Sequence, residues 1–134
     1  MKPLVVFACV HNAGRSQMAA AWFARLADPA KARAISAGTE PAGAVHPGVV
    51  LAMAEVGVDL SAAQPRRLTS ELLARATHLI TMGCGEACPV APPHIVRNDW
   101  PLPDPKGGTI EAVRLIRDEV RRRVGALVDE QGWR

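Results

Sequence analysis

The most constraining stretch of this chain is residues 4–22, LVVFACVHNAGRSQMAAAW. Leu4 to Ala8 form an unbroken apolar run with no polar alternation, the pattern of a strand covered on both faces. The run ends at Cys9, and the stretch from Ser16 to Ala27 is rich in good helix formers. Strand, short loop and helix therefore follow one another within about 20 residues. A buried strand feeding directly into a helix belongs to an α/β fold with a parallel sheet.

The rest of the chain keeps this alternation. ARAISA (32–37) reads as a second strand ended by Gly38, and THLITM (77–82) as a third. HIVRNDW (94–100) contains a fourth. HPGVVLAMAEVG has Pro47 at a helix start and Gly57 at its stop. LTSELLARA suits a short helix capped by Thr69. In the last segment, Ile110, Val113, Ile116, Val120, Val124 and Leu127 recur every three or four residues, one face of a helix. The 134 residues are expected to form one α/β domain, residues 1–134, with a four-stranded parallel sheet and helices on both faces.

In such sheets ligands gather at the carboxyl ends of the strands. Cys9 follows strand one, Cys84 and Cys88 follow strand three, and Asp104 lies beyond strand four. Topology alone sends these groups to one edge.

Charge and composition exclude other classes. The net charge is +3 and aromatic residues make up 4%, so the basic footprint with interleaved aromatics of a nucleic-acid binder is missing. The basic run RLIRDEVRRR (114–123) is read as a solvated helix face. No apolar run approaches the ~18 residues of a membrane span. The first strand leads straight into HNAGR without a small-x-small cleavage site, so a cytoplasmic protein is expected. Three cysteines make an odd number, which argues against a disulfide framework and for thiol chemistry. The four histidines give no metal-ligand spacing, and no metal or other cofactor is expected.

The loop CVHNAGRS carries the sharpest signal. Gly14 and Asn12 tolerate backbone angles closed to most residues, so successive N–H groups from Val10, His11, Asn12, Ala13, Gly14 and Arg15 can face one centre. That centre lies at the positive end of a helix, and the Arg15 guanidinium fork suits a tetrahedral oxyanion. Cys9 at the floor is then a nucleophile, with the Ser16 hydroxyl placed to donate to its thiolate. The bland alternative is a small buried thiol.

These eight residues resemble the Cys-x5-Arg-Ser signature of the low-molecular-weight tyrosine phosphatases. The chain is more similar still to the arsenate reductases built on that fold, through NAGRSQMA, SAGTEP, EVGVDLS and CPVAPPH, and through IRDEVRRRV in the last helix. The resemblance implies a low-molecular-weight phosphatase-like fold and a relay of thiols. Cys9 attacks arsenate, Cys84 attacks Cys9 as arsenite leaves, and Cys88 moves the disulfide outward to thioredoxin. Phosphate or sulfate would compete with arsenate for the cradle. Gly83, Gly85 and Ala87 give the TMGCGEACP segment the freedom such a relay uses. Its two cysteines have three residues between them, a shorter spacer than in the best-known reductases.

The segment DWPLPDPKGG resembles the family's acid loop, and Asp104 matches the aspartate that protonates the departing oxygen. Asp99 is a nearby alternative, read as a turn residue. Some reductases of this fold bind potassium beneath the loop. Asn12 and Ser36 match that site, but Ala20 and Arg66 replace its carboxylates, so no potassium dependence is expected. Arg66 or Arg67 would instead supply positive charge internally. Two other functions compete: a phosphatase of the same fold, and a non-catalytic redox or anion sensor. With no tyrosine and only Phe7 and Phe23 as phenylalanines, the chain has little with which to wall an aryl ester site.

Overall fold

The computed structural model describes residues 2–83 and 91–134. Strands β1 (Leu4–Cys9), β2 (Arg33–Gly38), β3 (His78–Thr81) and β4 (Val96–Asp99) form one parallel sheet in the order β2-β1-β3-β4. Helix α1 (Arg15–Leu26) follows β1, α2 (Pro47–Ala54) and α3 (Ser70–Arg75) follow β2, and α4 (Ile110–Gln131) follows β4. Thr69 caps α3 by accepting from the Leu72 N–H at 3.2 Å, and Thr109 caps α4 in the same way.

Strand alternation divides the core. Val5 and Phe7 point to the face covered by α1, α2 and α4, where they meet Met18, Phe23, Val49, Met53 and Val120. Val6 and Ala8 point the other way, onto Leu72, Leu73 and Ala76 around α3. Every residue of β1 is buried, as its unbroken apolar run requires, whereas β4 is an exposed edge. β1 is central, with β2 on one side and β3 on the other. The crevice at its carboxyl end is the switch point at which such sheets bind ligands.

The basic run on α4 is more than a solvated face. Arg117 is buried and donates to Ala52 O and to Glu55, and Arg114 grips the same carboxylate from the next turn. The Arg114 hydrogen bonds, with Arg117 behind them, push the Glu55 pKa down to about 2. Arg121 stacks over Trp22 of α1, 5.1 Å from the ring centroid. This run locks α4 to α1 and α2.

Trp133 closes the apolar core at the end of α4. Its ring packs edge-on to Phe23 and His78, and its carbonyl accepts from Asp28 N–H. Removing this ring in Trp133→Ala is expected to cost ~3–5 kcal/mol in urea unfolding. Burial lowers the His78 pKa from its ordinary 6.5, so the folded chain disfavours the charged imidazole. Its contribution is present above pH 6.5 and is lost as pH falls below that value, because the unfolded chain then binds the proton first. His78→Gln should flatten this part of the stability–pH curve. An unchanged slope between pH 7 and 5 would show that His78 is not its source.

Candidate functional site

The loop between β1 and α1 is built by hydrogen bonds that all run outward. Cys9 O accepts from Thr39 N, Val10 O from Glu40 N, His11 O from Ala42 N and Ala13 O from His46 N. Gly14 O accepts from Met18 N inside the helix, and Asn12 O accepts from Gln17 Nε2 at 3.0 Å. In a trans peptide the N–H opposes the preceding carbonyl. Carbonyls of 9–14 that turn outward therefore turn the N–H groups of 10–15 the other way, toward one concavity. Gly14 caps α1 without a side-chain bond, and no acid sits in the helix's first turn, so the positive helix end also faces that space.

The two backbone positions singled out in the sequence behave differently. Asn12 takes the left-handed conformation, with φ 50°. Gly14 lies outside both the helical and the extended regions, at φ −142° and ψ −93°, and it also needs space, because a Cβ there would lie 2.6 Å from Pro105 Cγ. Gly38 at the end of β2 is needed for the same reason. A Cβ would stand 2.6 Å from Val10 O and 2.9 Å from Asn12 N, pressing on the loop backbone itself.

Cys9 is buried, and its Sγ lies 2.8 Å from Ser16 Oγ. Asn12 Nδ2 donates to that same oxygen at 2.7 Å. Ser16 Oγ therefore accepts from Asn12 and keeps its own hydrogen for the sulfur. Arg15 is 7% exposed, and its Nη1 donates to Leu102 O at 2.9 Å. Gly83, with φ 81°, stands against the same guanidinium: a Cβ there would come within 2.8 Å of Nη1. Asp104 Oδ2 is 3.9 Å from Arg15 Nη2, while its Oδ1 accepts from Lys106 N. The one carboxylate both closes a turn and faces the arginine.

Cys9, His11, Ala13, Gly14, Arg15, His46 and Asp104 together line a small cup. A larger apolar groove of about 210 Å³ between Phe23 and Ala34 lies away from the thiol and has no comparable set of polar groups. Cys84 and Cys88 lie outside the described residues, and so does most of TMGCGEACP.

Two expectations change, and one residue joins the site that the sequence does not mark. Asp99 is no turn residue: it ends β4, where its Oδ1 accepts from Thr81 Oγ1 at 2.7 Å, an engaged carboxylate outside the cup. Arg66 and Arg67 place no guanidinium beneath the loop. Arg66 reaches Asn12 Oδ1 through its main-chain N–H, and the exposed Arg67 side chain donates to Thr39 O. His46 was not singled out by spacing, yet it forms one wall. Burial lowers its pKa against the pull of Asp104, with Lys106 and His11 acting in the same direction as burial. Its only sequence signal is its place just before the helix-starting Pro47. Gly38→Ala, which forces backbone apart, should cost ~1–3 kcal/mol in denaturant unfolding. It should also slow alkylation of Cys9, and wild-type values of both would show that the loop gives way freely.

The model of the low-molecular-weight phosphotyrosine protein phosphatase family matches residues 4–132. Arsenate reductase 1 of Bacillus cereus is 36% identical over 127 residues, 92% of each chain. A Halobacterium salinarum protein, provisionally named an arsenate reductase, is 42% identical over 130 residues, 92% of this chain and 89% of its own. The thioredoxin-dependent arsenate reductase of Corynebacterium glutamicum superposes with a TM-score of 0.82 at 37% identity, over 96% of this chain. This chain spans 61% of the length of that structure. Fold, loop and sequence agree: the chain belongs to the low-molecular-weight phosphotyrosine protein phosphatase family.

Proposed function

We propose that this protein is a cytoplasmic arsenate reductase in which Cys9, Cys84 and Cys88 pass a disulfide outward to thioredoxin. The observation that carries the reading is the buried Cys9 sulfur beside Ser16, at the floor of a loop whose carbonyls 9–14 all turn away from it. Such a cradle takes a tetrahedral oxyanion on the N–H groups of Val10, His11, Asn12, Ala13, Gly14 and Arg15 and on the Arg15 guanidinium. Phosphate and sulfate fit the same cradle and compete.

The Cys9 thiolate attacks arsenic and forms the S–As bond. Asp104 gives a proton to the oxygen that departs as water. The Cys84 thiolate then attacks Cys9 Sγ. The S–As bond breaks, its electron pair stays on arsenic, and arsenite leaves with As(V) reduced to As(III). Cys88 attacks Cys84, freeing Cys9 and leaving a Cys84–Cys88 disulfide, which a thioredoxin dithiol reduces. Ser16 stabilises Cys9 as a leaving group in this exchange.

A phosphatase needs only the first thiol, because water completes its cycle. Arsenate reductases align with this chain over 92% of its length, and the two downstream thiols give the Cys9 adduct a reductive exit. The imidazoles of His11 and His46 are the rings that line the cup; no tyrosine exists in the chain. Aryl phosphate hydrolysis is therefore a side activity.

Arsenate-dependent NADPH oxidation coupled through thioredoxin and its reductase tests the assignment. Cys9→Ser should abolish it, and Asp104→Asn should lower kcat by ~10²-fold. Cys88→Ser should stop steady-state turnover while leaving aryl phosphate hydrolysis intact. Unchanged arsenate turnover in Cys88→Ser would rule out the relay. Turnover with a low-molecular-weight thiol but with no thioredoxin would replace the partner and keep the chemistry.

A further inference from the structure

Gln17 has no part in the steps above, yet its side-chain nitrogen sits among three oxygens. It donates to Asn12 O at 3.0 Å, Asn12 Oδ1 at 3.2 Å and Gln64 O at 3.3 Å, on a residue 6% exposed. The other carbonyls of the loop, at 9, 10, 11, 13 and 14, are held by main-chain N–H groups. Asn12 is where the chain turns left-handed, and there a side chain does the holding.

We propose that Gln17 is the positioning residue of the cradle, setting the amide that follows Asn12 and the hydroxyl that faces Cys9. The inference rests on reading the cup as an oxyanion cradle. One branch runs through the backbone. Held outward by Gln17, Asn12 O turns the Ala13 N–H into the cup. The other runs through side chains. Asn12 Oδ1 accepts from Gln17 Nε2 and from Arg66 N, which fixes the amide so that Nδ2 faces Ser16 Oγ. Ser16 accepts that bond and directs its hydrogen to the sulfur, 2.8 Å away. Without the Gln17 donor, the Asn12 carbonyl is left buried with no partner and the 12–13 peptide is free to flip. Gln17 acts on the substrate only through these groups and touches neither sulfur nor oxyanion.

The test uses the reduced full-length protein with two readouts that need no arsenate turnover. One is the rate of Cys9 carboxymethylation at pH 7, followed by peptide mapping. The other is the concentration of inorganic phosphate that half-protects Cys9. Gln17→Met keeps the length and removes the donor. Gln17→Glu keeps the shape and sets an oxygen against three oxygens. Both should slow alkylation at least fivefold and weaken phosphate protection at least tenfold, with Glu the worse. Val128→Ala, a fully buried position on α4 away from the loop, should lower stability and leave both readouts at wild-type values. A folded Gln17→Met protein with wild-type alkylation and protection would overturn the proposal, and so would equal losses in Val128→Ala. Should the variants not fold, the wild type still decides by NMR. Slow solvent exchange of the Gln17 carboxamide protons and a phosphate-induced shift of the Ala13 amide are expected; fast exchange and an unmoved Ala13 would refute it. Absence of arsenate turnover in the wild type would count against the reductase reading alone, because these readouts depend only on the cradle.

Discussion

The carbonyl oxygens of Cys9 to Gly14 all point away from the cup, and the site depends on that arrangement. Four are tied to the segment that follows β2, one to the first turn of α1, and one to Gln17. The outward bonds fix the peptide planes, so the inward N–H groups need no reorganisation when an anion arrives. The same arrangement explains the glycines. Gly38 lets β2 run close enough for its following residues to reach the loop, and Gly14 lets Pro105 approach from above.

The sheet supplies the stiffness behind this loop. β1 is buried from Leu4 to Cys9, so the thiol hangs from the one strand, among the described residues, that is buried along its whole length. α1 is held in turn by α4, through the Arg121–Trp22 stack and the Phe23–Trp133 contact. The loop is thus clamped on its strand side by the core and on its helix side by a basic run that packs as well as dissolves. Arg15 is fixed by Leu102 O at one edge of its guanidinium and faces Asp104 at another. One residue therefore links the loop to the segment that carries Asp104.

Much of this was readable from residue order. The apolar run of β1, the helix period of α4 and the Thr69 cap are local signals, and the elements lie where those signals put them. Topology sends Cys9 and Asp104 to one sheet edge, and both line the cup; Cys84 and Cys88, sent to the same edge, lie outside the described residues. Other features depend on distances between segments far apart in sequence. Gln17 reads as an ordinary first-turn helix residue; only the fold brings it to Gln64 and turns it back onto Asn12. His46 reads as the residue before a helix-starting proline, and it meets the cup because its N–H ties down Ala13 O. Arg66 reads as a charge, but it reaches Asn12 through its backbone N–H, which no side-chain pattern encodes. Gly14 also supplies steric room that residue order does not show, since a Cβ there would lie 2.6 Å from the Pro105 ring.

The central claim is that one chain carries both the attack on arsenate and the two electrons that reduce it. A single-turnover reaction measures this directly. Fully reduced protein is mixed with arsenate in the absence of any other thiol, arsenite is quantified, and the cysteines are mapped by mass spectrometry. The account predicts about one arsenite per chain, a Cys84–Cys88 disulfide, and Cys9 returned to the free thiol. No arsenite, with Cys84 and Cys88 both still reduced, would contradict it.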